Sequence, residues 1–194
     1  MLSSIHPLGE RARHSTWWFT TVAYIVGSAT GGALLGATAG FVGLALSTAG
    51  LSLSPAVVTV VCVIALVADL VAGRVHLPSW HRQVNEDWLH RYRGWVYGVG
   101  YGFQLGLGVV TIVTTASVYA VVALAALSGS VATGAVIGGA FGLLRALPVV
   151  GLGAVREPVR LRRLHERIDA LAVPAARAST SALAVVAVAV WAVR

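Results

Sequence analysis

An all-α, polytopic membrane bundle is the fold class this sequence predicts, and three observations carry it. The 194-residue chain is 57% hydrophobic and 11% charged, with mean hydropathy +0.82. A soluble domain carries about 25% charged residues. The stretches 17–73, 95–153 and 178–193 hold almost no charge. Each of the first two far exceeds the roughly 20 residues that one membrane helix needs. The third observation is the placement of arginine, the only strongly basic residue type present. Arg11 and Arg13 precede the first apolar stretch, Arg74, Arg82, Arg91 and Arg93 follow it, and Arg156, Arg160, Arg162, Arg163, Arg167 and Arg177 follow the second.

Segment 1–16 is expected to be a cytoplasmic N-terminal segment. Its arginines followed by apolar residues resemble the start of a secretory signal, and LALSTAG offers small residues for cleavage. The apolar run after Trp17 is about 30 residues, too long for a signal h-region, so an uncleaved helix is expected. The uncharged, turn-prone STAGLSLSP (47–55) and LSGSVATG (127–134) divide the apolar stretches. The resulting spans are 17–46, 55–73, 95–126 and 131–153, with a shorter, Ala-rich fifth span at 175–193. The first and third exceed an upright crossing, so they must tilt, project or break at a glycine.

Arginine bias orients these spans. The two short breaks carry no charge, whereas the N-terminus and both long loops are Arg-rich. The positive-inside rule places the N-terminus and the loops 74–94 and 154–177 in the cytoplasm, and the protein in the cytoplasmic membrane. Each loop also predicts an amphipathic helix. Over 78–92, Trp80, Val84, Trp88 and Tyr92 recur every four residues; over 158–171, Leu161, Leu164, Ile168 and Leu171 form a narrow stripe. Trp80, Trp88, Arg82, Arg162 and Arg163 are candidates for a lipid or partner surface, since aromatics and cations favour headgroup depth.

The two halves look related. Trp18 and Tyr24 are spaced as Trp95 and Tyr101 are, and a shift of about 76 lays LSLSPAVVTV on LSGSVATGAV and Asp69 on Arg145. A parallel duplication follows: repeat 1 over 17–94, repeat 2 over 95–173, then a C-terminal segment 174–194. Transporters often contain such repeats. Asp69 and Arg145 are lone charges in apolar segments. A charge at the bilayer centre costs about 2.5–3.5 kcal/mol on insertion scales, so the two are expected to pair between the second and fourth spans. Gln104, with Tyr101 nearby, is the mid-span amide suited to an interhelical or substrate contact.

Glycine recurs every four residues at Gly32, Gly36 and Gly40, at Gly94, Gly98, Gly102 and Gly106, and at Gly134, Gly138 and Gly142. Such ridges let helices approach closely and take the place of a hydrophobic driving force.

Catalytic chemistry is not legible. Cys62 stands alone, so it lacks the second thiol of an exchanger. None of His6, His14, His76, His81, His90 and His165 falls mid-span, and no spacing matches a metal or haem template. Phosphate-loop, nucleophile-elbow and zinc-protease motifs are missing. No enzyme activity, cofactor or nucleic-acid partner is expected. The expected partners are the lipid bilayer and a second copy or another subunit. The general pattern is similar to that of small duplicated bacterial transporters with Gly-rich helices, including the membrane thiol-transfer type. That type needs a cysteine in each half, and here the second half has none. The resulting expectation is a small transport-related membrane protein, with a non-catalytic scaffold or assembly subunit of a larger membrane complex as the alternative.

Overall fold

The computed structural model describes residues 16–51, 55–70, 93–108 and 117–151, and the single positions 170, 174, 181, 185 and 188. Every element among them is helical: α1 (Trp17–Thr48), α2 (Pro55–Leu70), α3 (Gly94–Leu107), α4 (Ser117–Leu127) and α5 (Val131–Gly151). The expected amphipathic helices, with Trp80, Trp88, Arg82, Arg162 and Arg163, lie outside the described residues, and so does nearly all of the expected fifth span.

At 32 residues, α1 extends about 48 Å, longer than the roughly 30 Å hydrocarbon core. A glycine cap ends it. Gly50 adopts φ +78°, its N–H bonds the Ser47 carbonyl, and the Leu51 N–H reaches back to Leu46 at 2.9 Å. This pair of bonds satisfies the last carbonyls as a Schellman motif does. Ser130 starts α5, its hydroxyl accepting from the Thr133 N–H at 3.3 Å as an N-cap. Among the described residues, α1 and α5 are the helices long and apolar enough to cross a membrane. Pro55 opens α2 at a position where its missing N–H costs nothing.

Of the three alternatives open to the long expected span 95–126, the described residues show a break at a glycine, with two helices, α3 and α4, within it. Gly108 ends α3 in a left-handed conformation, φ +65°, which no α-helix continues through. At 14 residues α3 extends about 21 Å, too short to cross alone.

Helix α1 is the centre of the packing. The glycine registers give directions. A Cβ on Gly98 would meet the Thr20 backbone, one on Gly102 that of Tyr24, and one on Gly106 that of Ser28. Numbers rise together, so α1 and α3 are parallel. Gly142 meets Ser28, Gly138 meets Gly32, and Gly134 meets Gly36. Here one number rises as the other falls, so α1 and α5 are antiparallel. Gly40 abuts Ser130 and Gly43 abuts Ala126, which brings the turn between α4 and α5 to the same end as the C-terminus of α1. The two uncharged turns therefore share one side. α2 packs against α4. Packing of the second span on the fourth, expected from the charges, is not a principal contact among the described residues.

Candidate functional site

At the end opposite those turns, three tyrosines meet the last turns of α5. Tyr24 of α1, Tyr97 and Tyr101 of α3, and Ala146 and Val149 of α5 form one buried cluster, edged by Ile25 and Leu105. Tyr97 and Tyr101 stand one turn apart with ring centroids 5.9 Å apart. Glycine makes this possible. Gly98 and Gly102 bring the α3 backbone onto α1, so the bulky rings are held beside the contact.

Arg145 lies next to this cluster. Register against α1 sets its backbone near Ile25, in the first third of that helix. Helical side chains tilt towards their own N-terminus, and for α5 that direction leads into the membrane. The Arg145 guanidinium accordingly lies over the ring of Phe141, one turn earlier, 5.4 Å from its centroid. The charge thus extends inward, rather than snorkelling towards the C-terminal end of α5. Its Nη1 arrives at Gly108, where a Cβ would stand 3.0 Å away. The Tyr24 hydroxyl is within electrostatic reach.

This placement has a physical reason. A helix that stops inside a membrane leaves its last carbonyls without intrahelical donors, and its C-terminus carries partial negative charge. A guanidinium at Gly108 faces that end of α3. Nη1 is nonetheless sealed from solvent and has no hydrogen-bond partner among the described residues. The Trp17 Nε1 and Thr21 Oγ1, one turn apart on α1, are buried and unpartnered in the same sense.

Of the residues singled out from sequence, Arg145 and Tyr101 meet in this region. Gln104 is half-buried, on the α3 stripe shared by Tyr97, Tyr101 and Gly108. The Asp69 backbone belongs to α2, but its side chain lies outside the described residues, as does that of Cys62. Sequence reasoning passed over Ser28. Its hydroxyl donates to the Gly142 carbonyl at 2.7 Å, a buried bond between α1 and α5. The available signal was its heptad spacing with Thr21, Tyr24 and Gly31, polar or small residues on an otherwise apolar helix.

Curated proteins resemble this chain over much of its length. The methylamine utilization protein MauF of Paracoccus versutus is 36% identical over 153 residues, covering 76% of this chain and 55% of that protein. MauF of Paracoccus denitrificans is 32% identical, over 76% of this chain and 54% of that protein. MauF of Methylorubrum extorquens is 30% identical, with 76% and 53% covered. The chain therefore spans about half the length of these relatives. No solved structure matches it. The broader match runs over residues 3–190, nearly end to end, and by it the chain belongs to the family described as the cytochrome C biogenesis protein transmembrane region.

Proposed function

We propose that the protein is an integral membrane assembly factor, a subunit that supports the biogenesis of a partner protein and that serves methylamine utilization. The observation that carries this reading is the family membership over residues 3–190. The role for which the relatives are named, methylamine utilization, supplies the pathway. The described packing suits a scaffold. Backbone meets backbone along α1, α3 and α5, which leaves a rigid frame. The single Cys62 means that no dithiol relay can run within these 194 residues. The proposal accordingly includes no thiol exchange inside the chain and no enzyme activity.

The finer topology belongs to the same proposal: cytoplasmic membrane, N-terminus inside, two repeats in one orientation. Arginine bias supports the orientation. The parallel run of α1 and α3, with Thr20, Tyr24 and Ser28 each meeting the residue 78 positions later, supports the repeat.

A solute-transport role is the second reading. It is favoured by one observation, the break of α3 at Gly108 beside Arg145. Interrupted helices with exposed polar ends form substrate sites in secondary transporters. Gene deletion discriminates the two. The assembly reading expects lost growth on methylamine together with loss of the mature partner protein, both restored by the gene in trans. Transport expects the partner to mature normally while uptake falls. Normal growth on methylamine in the deletion strain would remove the methylamine role.

A further inference from the structure

We propose that the first turns of α1 and α3 form a binding surface for anionic phospholipid headgroups, with Trp18, Phe19 and Trp95 in the boundary layer and Arg93 on the phosphate. The inference goes beyond the assembly reading and stands without it. Gly98 meets Thr20 and Gly102 meets Tyr24, so α1 and α3 advance in step. One turn back along that register, Gly94, the first residue of α3, is level with Thr16, which precedes α1. The two helices therefore start in one layer, at the end opposite the uncharged turns. All three described tryptophans belong to this layer. Two of them face outward: Trp18 is 61% exposed and Trp95 47%, with Phe19 at 62%. Trp18 and Phe19 are consecutive, so they point about 100° apart around α1. Trp95 stands on the neighbouring helix. The aromatics thus spread around the start of the bundle. The opposite end exposes Phe41, Val42, Leu44 and Leu51, a stretch with neither Trp nor charge.

The chemistry selects the partner. Tryptophan joins an apolar ring to an N–H donor, and that combination favours the boundary between acyl chains and headgroups. The exposed rings lie on the outward sides of helices that already meet through their glycine faces, so the bilayer is what surrounds them. Arg93 is exposed in the same layer, and no acidic residue stands in the first turn of α1 or α3 to neutralise it. A guanidinium binds phosphate oxygens through paired N–H groups. In a zwitterionic lipid the headgroup ammonium competes for the same phosphate, whereas an anionic lipid brings no such competitor. The surface therefore complements a lipid of net negative charge.

The test uses the purified full chain in neutral detergent. Phosphatidylglycerol or phosphatidylcholine with matched acyl chains is added at equal mole fraction and ionic strength, and unfolding is followed by circular dichroism. Phosphatidylglycerol should raise the Tm by about 2–4 °C more than phosphatidylcholine does. Arg93→Gln should erase that difference. Leu51→Glu, which changes the net charge equally at the other end, should keep it. Replacing Trp18 and Trp95 together with Leu should shrink the gain from both lipids; an undiminished gain overturns the role of the aromatics. Should that double variant fail to accumulate, the comparison of Arg93→Gln with Leu51→Glu decides alone. Equal effects of the two lipids on the wild type overturn the proposal. So does Leu51→Glu losing the difference as fully as Arg93→Gln. Soluble glycerol phosphate that matches phosphatidylglycerol overturns the assignment to a lipid.

Discussion

The Ser28 hydroxyl donates to the Gly142 carbonyl oxygen across 2.7 Å, tying α1 to α5 away from solvent. In a membrane such a bond averages about 0.6 kcal/mol and reaches about 1.7, because the separated helices also find partners. Ser28→Ala should lower the Tm by about 2–5 °C without changing the oligomeric state. Thermal unfolding in detergent measures it. A variant as stable as wild type would mean that the bond contributes nothing beyond packing.

Gly138 and Gly139 are neighbours with opposite surroundings. A Cβ on Gly138 would strike the Gly32 carbonyl, whereas one on Gly139 would meet the Ala33 Cβ at 3.6 Å, an ordinary contact. Gly138→Ala should therefore force α1 and α5 apart and abolish the monodisperse peak in size-exclusion chromatography. Gly139→Ala should be neutral, or stabilising by up to about 1 kcal/mol through helix propensity. Equal behaviour of the two variants would refute the backbone contact.

Gly50 and Gly108 separate two costs. Both have positive φ, but nothing stands within 4 Å of a Cβ on Gly50, while Gly108 faces Arg145 and Val118. Gly50→Ala should cost about 1–2 kcal/mol, the left-handed penalty alone. Gly108→Ala should cost more, because the guanidinium must also move. Denaturation in matched detergent ranks them, and the reverse order would place the Arg145 contact in error.

Topology can be checked with single cysteines in a Cys62→Ser background. Cysteines at Ser79 and Ala175 should resist an impermeant thiol reagent in intact cells, and one at Ser128 should label. Ser128 occupies the turn between α4 and α5, on the same side as the end of α1. Labelling of the first two with protection of the third would invert the orientation.

Local periodicity made much of this fold legible. The ridges Gly32–Gly36–Gly40 and Gly134–Gly138–Gly142 could be read as contact faces because four-residue spacing is itself helical geometry. Which ridge meets which could not be read, since any two small-residue faces are complementary. The break at Gly108 was hidden for a related reason. Gly98, Gly102 and Gly106 are equally glycine, and only the backbone conformation singles out Gly108 as a stop. Arg145 was legible as a lone charge; its inward direction was not, because it follows from the polarity of α5 and the position of Phe141. The sequence-based pairing of spans assumed that equivalent charges approach each other. α2 packs against α4, and the Asp69 side chain, on which that pairing turns, lies outside the described residues.

The central place of α1 has a consequence for synthesis. Its glycine faces are made first, yet Gly138, the partner of Gly32, follows by 106 residues. At about 5–20 residues per second, the ribosome needs roughly 5–20 s to deliver it. Throughout that interval α1 stands in lipid with a bare backbone stripe that any small-residue helix can fill. Nascent chains crowded on one messenger are therefore exposed to swapping α5 between neighbours. Slower translation between residues 48 and 131 should raise the yield of tangled oligomers, and an insertase that shields the stripe should suppress them.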